Sequence, residues 1–344
     1  MGLLASNAQA EPDNQNGGSS AEPIAPLLSV RDLSVSFSTR RGVGTALNSV
    51  SFDLYPGETL GLVGESGSGK STTASAIAGV LPQPPARVDS GQIVFDGRDL
   101  LQIGETELQA IRGRDLGVIL QDPLSALNPV FNIGFQIGEP LHIHKDMRGN
   151  PLKKRIVELL EMLRIPAAEE RLRDFPHQFS GGMRQRVVSA IAASCDPKLL
   201  IADEPTTALD VTVQAAYLRL LKSIQERTGV AIVFITHDFA VVAKMCDRVA
   251  VMYGGSIVEE APVDVLFNSP AHPYTEALLN SVPDVRVDVD RLTPIEGAPP
   301  SIFDPTPGCR FAPRCPHVME KCRTEAPREF ETAPGQRASC WRHE

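Results

Sequence analysis

The sequence lacks several features that mark other classes of protein. No apolar run approaches the ~20 residues that a membrane-spanning helix needs, so we expect no transmembrane segment. Basic residues are not in excess: the net charge of −9 at pH 7 argues against a protein that coats nucleic acid. The first residues lack the basic start and apolar stretch of a secretion signal. We therefore expect a soluble protein of the cytoplasm.

The remaining composition is that of an ordinary globular protein, with 344 residues of which 42% are hydrophobic and 22% charged. This length is enough for one large domain and an appendage. Residues 1–26 are polar and rich in Gly, Ser, Asn and Gln, which predicts a disordered tail. Prolines become frequent after about residue 265, so we predict a folded domain over 27–265 and a C-terminal extension over 266–344.

The hydrophobic pattern within this domain predicts an α/β fold. Residues 199–202 and 231–235 are short, entirely apolar runs, typical of parallel strands buried on both faces. A helical pattern over 211–227 separates them, and a further β segment is predicted over 91–97. Residues 132–193 are mostly helical by pattern.

The most informative motif is residues 64–71, which read GESGSGKS between an apolar run and a helix-like segment. Glycines let successive N–H groups turn toward an anion, and the following helix adds its positive dipole end. Lys70 can reach terminal phosphates and Ser71 can bind Mg²⁺. The alternative is a glycine-rich turn that matches by chance. The predicted nucleotide-binding residues here are Gly64, Ser66, Gly67, Ser68, Gly69, Lys70, Ser71 and Thr72.

Two further segments carry suitable chemistry. Asp203 and Glu204 end an apolar strand, where the first acid can hold Mg²⁺ and the second can polarise the attacking water. The alternative is a pair of solvated acids. Ser180, Gly181 and Gly182 open a helix, and such a start can cradle an anion or simply cap the helix. The sequence alone leaves both readings of this second segment open.

These motifs together resemble the ATP-binding-cassette (ABC) ATPases. The phosphate loop, Gln121, Ser180-Gly181-Gly182, Asp203-Glu204, the loop at 208–210 and His237 occur in that family's order. The resemblance implies a P-loop (RecA-like) α/β core with a β subdomain and an inserted α-helical subdomain at about 123–193, followed here by a small Cys-rich C-terminal extension.

The resemblance also implies roles for individual residues. Glu204, His237 and Gln121 would be catalytic, with His237 contacting the γ-phosphate, and Mg²⁺ would be held by Ser71, Gln121 and Asp203. Phe37 would stack on the adenine of ATP; the alternative is a phenylalanine of the strand core. Asp210 would communicate across a dimer, in which Ser180, Gly181 and Gly182 contact the nucleotide of the second subunit. The common signature has Leu and Gln where this chain has Phe179 and Met183, so only those three signature residues are carried over.

The C-terminal region narrows the resemblance to the oligopeptide/dipeptide (peptide/nickel) importer ATPases, through residues 272–279, 295–300 and 308–316. The implied function is ATP hydrolysis that energises uptake of di- or oligopeptides, or of nickel or another small solute. The implied partners are two transmembrane permease subunits, a second, paralogous ATPase subunit and an extracytoplasmic solute-binding protein, with no nucleic acid. The implied location is peripheral, on the cytoplasmic face of the inner membrane.

Other functions fit the sequence less well. ABC proteins of ribosomes usually carry two cassettes, and those of DNA repair are split by a long coiled coil; this chain has one cassette, with Ser180 only 110 positions after Lys70. A phosphotransferase kinase would leave the Ser180 signature and His237 unexplained.

Six cysteines form two sets. Cys195 and Cys246 lie in apolar, helix-like contexts and are expected to be packing residues. The other four lie close together near the C-terminus, where soft thiolates suit an iron–sulfur cluster or zinc, with unliganded thiols as the third possibility. The family resemblance favours a 4Fe–4S cluster on Cys309, Cys315, Cys322 and Cys340.

Overall fold

The computed structural model describes residues 25–281, 295–304 and 306–344. The predicted disordered tail over 1–26 lies almost entirely outside the described residues. The strands are β1 (Leu28–Thr39), β2 (Gly42–Leu54), β3 (Thr59–Val63), β4 (Ala86–Phe95), β5 (Arg98–Asp99), β6 (Leu116–Ile119), β7 (Leu199–Asp203), β8 (Ala231–Thr236), β9 (Arg248–Tyr253), β10 (Ser256–Pro262), β11 (Phe330–Ala333) and β12 (Gln336–Ala338).

Helices of at least four residues flank these strands. They are α1 (Lys70–Ile77), α2 (Glu105–Ile111), α3 (Pro123–Ala126), α4 (Ile133–Lys145), α5 (Gly149–Met162), α6 (Ala168–Arg171), α7 (Gly181–Ala193), α8 (Val211–Thr228), α9 (Phe239–Met245), α10 (Val263–Asn268), α11 (Pro273–Asn280) and α12 (Glu320–Thr324). None of the helices within the described ranges combines the length and the apolar character needed to cross a bilayer.

Two sheets organise the part of the chain that the structure describes. An antiparallel sheet has the order β2-β1-β4-β5, and a larger one has the order β11-β12-β10-β9-β3-β8-β7-β6. Strands β9, β3, β8, β7 and β6 pair in parallel. Strand β8 is buried along its whole length, which explains its continuous apolar sequence. The predicted α/β fold is confirmed.

The helical insertion lies between β6 and β7. Helix α5 buries Ile156, Leu159 and Leu160, and the insertion packs as one apolar cluster with neighbouring helices. One strand was predicted with wrong bounds: the segment expected over 91–97 runs from Ala86 to Phe95 as β4. Asp96 and Gly97 instead form a turn with positive φ angles of 49° and 77°.

The C-terminal residues continue the larger sheet. Strand β12 pairs antiparallel with β10, bringing Ala338 opposite Glu259 and Arg337 opposite Glu260. Glu259 is buried and accepts backbone N–H bonds from Ala271 and His272, each at 2.8 Å. These bonds satisfy a carboxylate that would otherwise be costly to bury, and they tie the chain after β10 to the core.

Candidate nucleotide site

A pocket of about 710 Å³ opens beside the carboxyl end of β3, a volume within the usual range for small-molecule sites. Most of the residues predicted from the sequence meet here. The lining residues are Phe37, Ala46, Glu65, Ser66, Gly67, Gly69, Lys70, Ser71, Thr72, Gln121, Glu204, His237 and Ile302.

The phosphate loop has the backbone that its glycines predict. Gly64, Gly67 and Gly69 have φ angles of 152°, 80° and 108°, which side-chain-bearing residues rarely adopt. Gly64 is also required by space, because a Cβ there would lie 2.2 Å from the carbonyl oxygen of Met252. Helix α1 begins at Lys70, so its first N–H groups face the loop. The loop therefore forms an anion cradle.

Lys70 lies inside this cradle. Its Nζ donates to the carbonyl oxygens of Gly64 at 2.8 Å and Glu65 at 2.9 Å, and approaches the Ser68 hydroxyl at 3.5 Å. Burial lowers the pKa of Lys70, while the nearby carboxylates of Glu204, Asp203 and Glu65 oppose this shift. The ammonium group is thus held where a phosphate oxygen can replace its carbonyl partners.

Ser71 and Asp203 form an oxygen pair suited to a hard cation. The Ser71 hydroxyl donates to Asp203 Oδ1 at 3.2 Å. Burial raises the pKa of Asp203, which the Ser71 hydrogen bond partly offsets. Hydroxyl and carboxylate oxygens are the ligands that Mg²⁺ prefers, so these residues fit the ion expected with a nucleoside triphosphate.

Glu204 lines the pocket, and neighbouring side chains hold its carboxylate. Its Oε2 accepts hydrogen bonds from Gln121 Nε2 and from the Thr207 hydroxyl, both at 3.0 Å. His237 Nδ1 lies 3.4 Å from Oε1. The backbone of Glu204 is left-handed, with a φ of 44°, a strained conformation of the kind found at functional sites. The three residues predicted to be catalytic therefore lie together.

The remaining predicted residues lie elsewhere. Ser180, Gly181, Gly182 and Asp210 do not line this pocket. The Ser180 hydroxyl accepts from the Met183 N–H at 3.3 Å and so caps α7. Asp210 caps α8 in the same way. Within one chain, Ser180 of the Ser-Gly-Gly segment therefore acts as a helix cap.

Four residues of the site escaped the sequence reasoning: Ala46, Glu65, Thr207 and Ile302. Glu65 lies inside the phosphate-loop motif, where no role was assigned to it, and Thr207 adjoins the loop at 208–210, so both could have been found there. Ala46 and Ile302 carry no motif and reach the pocket only through the tertiary fold.

The four C-terminal cysteines also meet. Cys309, Cys315, Cys322 and Cys340 line one cavity with a free volume of about 10 Å³. Burial raises the pKa of Cys309 to about 11 and also raises those of Cys315 and Cys340. Across the described ranges, no group of three or more His, Cys, Asp or Glu side chains is arranged to hold a metal ion. The four thiols as they lie therefore do not form the predicted 4Fe–4S site, whereas Cys195 and Cys246 are buried as expected.

The fold and this pocket define a P-loop nucleotide-binding cassette. Residues 47–207 match the family model described as ABC transporter, and residues 258–322 match that described as oligopeptide/dipeptide transporter, C-terminal region. The chain belongs to the ABC transporter family as an ATP-binding subunit, and it is an ATP-hydrolysing enzyme.

Curated relatives resemble nearly the whole chain. It is 49% identical to the dipeptide transport ATP-binding protein DppD of Bacillus subtilis, over 92% of this chain and 94% of that protein. It is 48% identical to the oligopeptide transport ATP-binding protein OppD of the same organism, over 92% and 89% respectively. The dimeric, post-hydrolysis cassette MJ0796 bound to ADP and Pi superposes with a TM-score of 0.62 at 27% identity, covering 69% of this chain and 98% of that one.

Proposed function

We propose that this chain is the ATP-hydrolysing subunit of a membrane importer for di- or oligopeptides. The observation that carries the proposal is the pocket that brings the phosphate loop together with Glu204, Gln121 and His237. The peptide substrate is supported by the names of the relatives and by the match to the oligopeptide/dipeptide transporter C-terminal region.

In this proposal each residue has a defined task. Lys70 and the N–H groups of the phosphate loop bind the β- and γ-phosphates, and Phe37 contacts the base. Ser71 and Asp203, with Gln121, would hold Mg²⁺, which neutralises charge that develops on the phosphates. Glu204 accepts a proton from the attacking water, while Gln121 and Thr207 fix its carboxylate. His237 contacts the γ-phosphate.

A second subunit completes the site in this proposal. Ser180, Gly181, Gly182 and Asp210 lie outside the pocket of their own chain, yet Ser180 opens a helix whose N-terminus suits an anion. We assign them to the nucleotide of a second, paralogous ATPase subunit. Closure of the pair would exclude water other than the nucleophile.

The remaining assignments follow from the transporter family. The ATPase domain spans 27–265, with a helical subdomain at about 123–193, and the extension spans 266–344. The partners are two permease subunits, with an extracytoplasmic binding protein acting through them. The chain lies on the cytoplasmic face of the membrane, bound through the permease.

Reconstitution of the complete transporter tests this function. Proteoliposomes holding the permease pair, both ATPases and the binding protein should accumulate a labelled dipeptide only with ATP, and Lys70→Ala should abolish uptake. Uptake of nickel instead of peptide, under the same conditions, would keep the ATPase role and reject the peptide substrate. Peptide uptake that continues unchanged in the Lys70→Ala transporter would reject the ATPase role.

We also propose that Cys309, Cys315, Cys322 and Cys340 hold a 4Fe–4S cluster. The four soft donors around one cavity support it, but the free volume of about 10 Å³ is that of one water-sized probe. The thiols would have to rearrange to bind a cluster. Anaerobically purified protein should contain iron and should show a visible absorbance band that is lost in Cys315→Ser. Zinc in place of iron would make this a zinc site, and the absence of both metals would reject a metal site at these cysteines.

A further inference from the structure

The C-terminal extension reaches the phosphate loop directly. Arg314 pairs with Glu65 through two hydrogen bonds, from Nη1 to Oε2 at 2.6 Å and from Nη2 to Oε1 at 3.0 Å. Such a two-point pairing fixes both the position and the orientation of the carboxylate. Glu65 is the second residue of the loop, and 249 positions separate it from Arg314.

Arg314 is itself tightly held. Its side chain is only 4% exposed. Its remaining N–H groups donate to the carbonyl oxygens of Glu296 at 3.0 Å and Ile295 at 3.3 Å, and its Nη1 also donates to the Tyr253 hydroxyl at 3.3 Å. A guanidinium with this many partners has one available position, so it is a rigid anchor for Glu65.

Glu65 connects that anchor to the phosphate-binding lysine. Its N–H donates to the Tyr274 hydroxyl at 2.9 Å, and its carbonyl oxygen accepts from Lys70 Nζ at 2.9 Å. The backbone of Glu65 is therefore held on one side by Tyr274 and faces the lysine on the other. Its carboxylate would repel a triphosphate if left unpaired, and Arg314 compensates that charge.

We infer that Arg314 is a positioning residue for ATP binding: it fixes the shape of the phosphate loop and neutralises Glu65. The inference rests on the proposed function, because it requires that the pocket binds ATP. A merely structural pair, joining the extension to the core, would change stability but would leave the affinity for ATP unaltered. Nucleotide affinity therefore separates the two roles.

A double-mutant cycle on the complete chain tests this inference. Arg314→Gln should weaken ATP binding about tenfold, as expected for a closely coupled charged pair. Glu65→Gln should weaken it less, since it leaves no uncompensated negative charge in the loop. The double variant should bind better than Arg314→Gln alone, and Arg314→Lys should recover part of the affinity.

Two controls make the cycle decisive. Arg337→Gln removes another arginine of the extension, whose ion pairs are with Glu260 and Glu329, and should leave ATP affinity unchanged. Lys70→Ala should abolish binding. Arg314→Gln with wild-type affinity, or an equal loss in Arg337→Gln, would overturn the inference but not the function. A wild-type chain that binds no ATP would overturn both. If Arg314→Gln does not fold, Glu65→Gln and Arg314→Lys carry the same comparison.

A separate observation places the extension at the other end of the pocket. Ile302 lines the pocket together with Phe37. Its carbonyl oxygen accepts from the Thr45 N–H at 2.8 Å. Gly44 pairs with Phe37 in the β1–β2 register, and a Cβ on Gly44 would lie 2.7 Å from Ile302 Cγ1. The absent side chain lets Ile302 pack beside the residue that was predicted to stack on adenine.

The geometry points to Ile302 as a base-contacting residue that presents an apolar wall to the purine of ATP. This again rests on ATP binding by the pocket. Ile302→Ala should weaken ATP binding about fivefold through lost apolar contact. Gly44→Ala should weaken it similarly, because the new methyl group displaces Ile302.

Inorganic triphosphate, which has no base, separates this contact from a general effect on the loop. The affinity for triphosphate should be unaltered in Ile302→Ala. Val43→Ala, at an exposed position of β2 next to Gly44, should leave the affinities for ATP and for triphosphate unaltered. An equal loss for ATP and triphosphate, or unchanged ATP affinity in Ile302→Ala, would overturn this assignment while leaving the phosphate site intact.

Discussion

Thr207 offers a sharp test of how the carboxylate of Glu204, proposed to be catalytic, is held. Its hydroxyl donates to Glu204 Oε2 at 3.0 Å, on the same oxygen that accepts from Gln121. The Thr207 side chain is exposed, so Thr207→Val removes the donor while keeping the shape of the side chain. We expect the variant to fold normally and to hydrolyse ATP more slowly.

The expected loss follows from the geometry. A hydrogen bond to a charged group contributes about 1.5–3 kcal/mol, and the lower end applies because Gln121 still holds the same oxygen, which predicts about a tenfold fall in kcat. KM for ATP should change little, since Thr207 does not line the pocket. Thr207→Ser, which retains the hydroxyl, should keep most of the activity.

Phosphate release by the assembled transporter measures both constants. A wild-type kcat in Thr207→Val would refute the claim that this hydroxyl orients Glu204. A rise in KM without a fall in kcat would instead assign Thr207 to nucleotide binding.

Two further predictions concern the loop and the buried thiols. Gly64→Ala should weaken ATP binding about a hundredfold, because the clash with the Met252 carbonyl costs about 3 kcal/mol in strain and displacement. Gly67→Ala should weaken ATP binding only about fivefold. A Cβ at Gly67 meets nothing within 4 Å, so the loss is only that of placing alanine in a left-handed conformation. Titration calorimetry checks both, and equal losses would contradict the steric argument. Cys195 and Cys246 should resist alkylation in the native protein, since burial raises the pKa of each thiol. Rapid labelling of both thiols in the folded protein, detected by mass spectrometry, would contradict this prediction.

The parts of the fold predicted correctly are those with strong local patterns. Residues 199–202 and 231–235 are entirely apolar, and the observed strands β7 and β8 extend each by a single residue. The first half of β4, Ala86 to Ser90, was missed because its alternation is short, with only Ala86 and Val88 apolar, and because Ser90 and Gly91, residues typical of turns, lie at its end. That half is held by pairing with β1, in which Ala86 lies opposite Phe37. Tertiary pairing overrides local propensity there.

The residues of the site also divide into those that a local sequence pattern predicts and those that only the tertiary fold brings together. Lys70 and Glu204, which line the pocket, could be predicted because phosphate binding and water activation need particular residue types at particular places along the chain. From the extension, Ile302 lines the pocket and Arg314 pairs with Glu65 of the phosphate loop. No local sequence pattern predicts contacts between segments so distant along the chain. The Ser180 segment was ambiguous for a different reason: one hydroxyl can cap a helix and also serve a ligand at the same N-terminus.

In the proposed transporter, this chain provides half of an ATP site that a second subunit completes. Sedimentation velocity of the Glu204→Gln protein, with its paralogous partner, measures this most directly, because ATP stays uncleaved. We predict a dimer with Mg-ATP that Lys70→Ala abolishes. Monomers alone, with ATP bound and a competent partner present, would show that no second subunit completes the site.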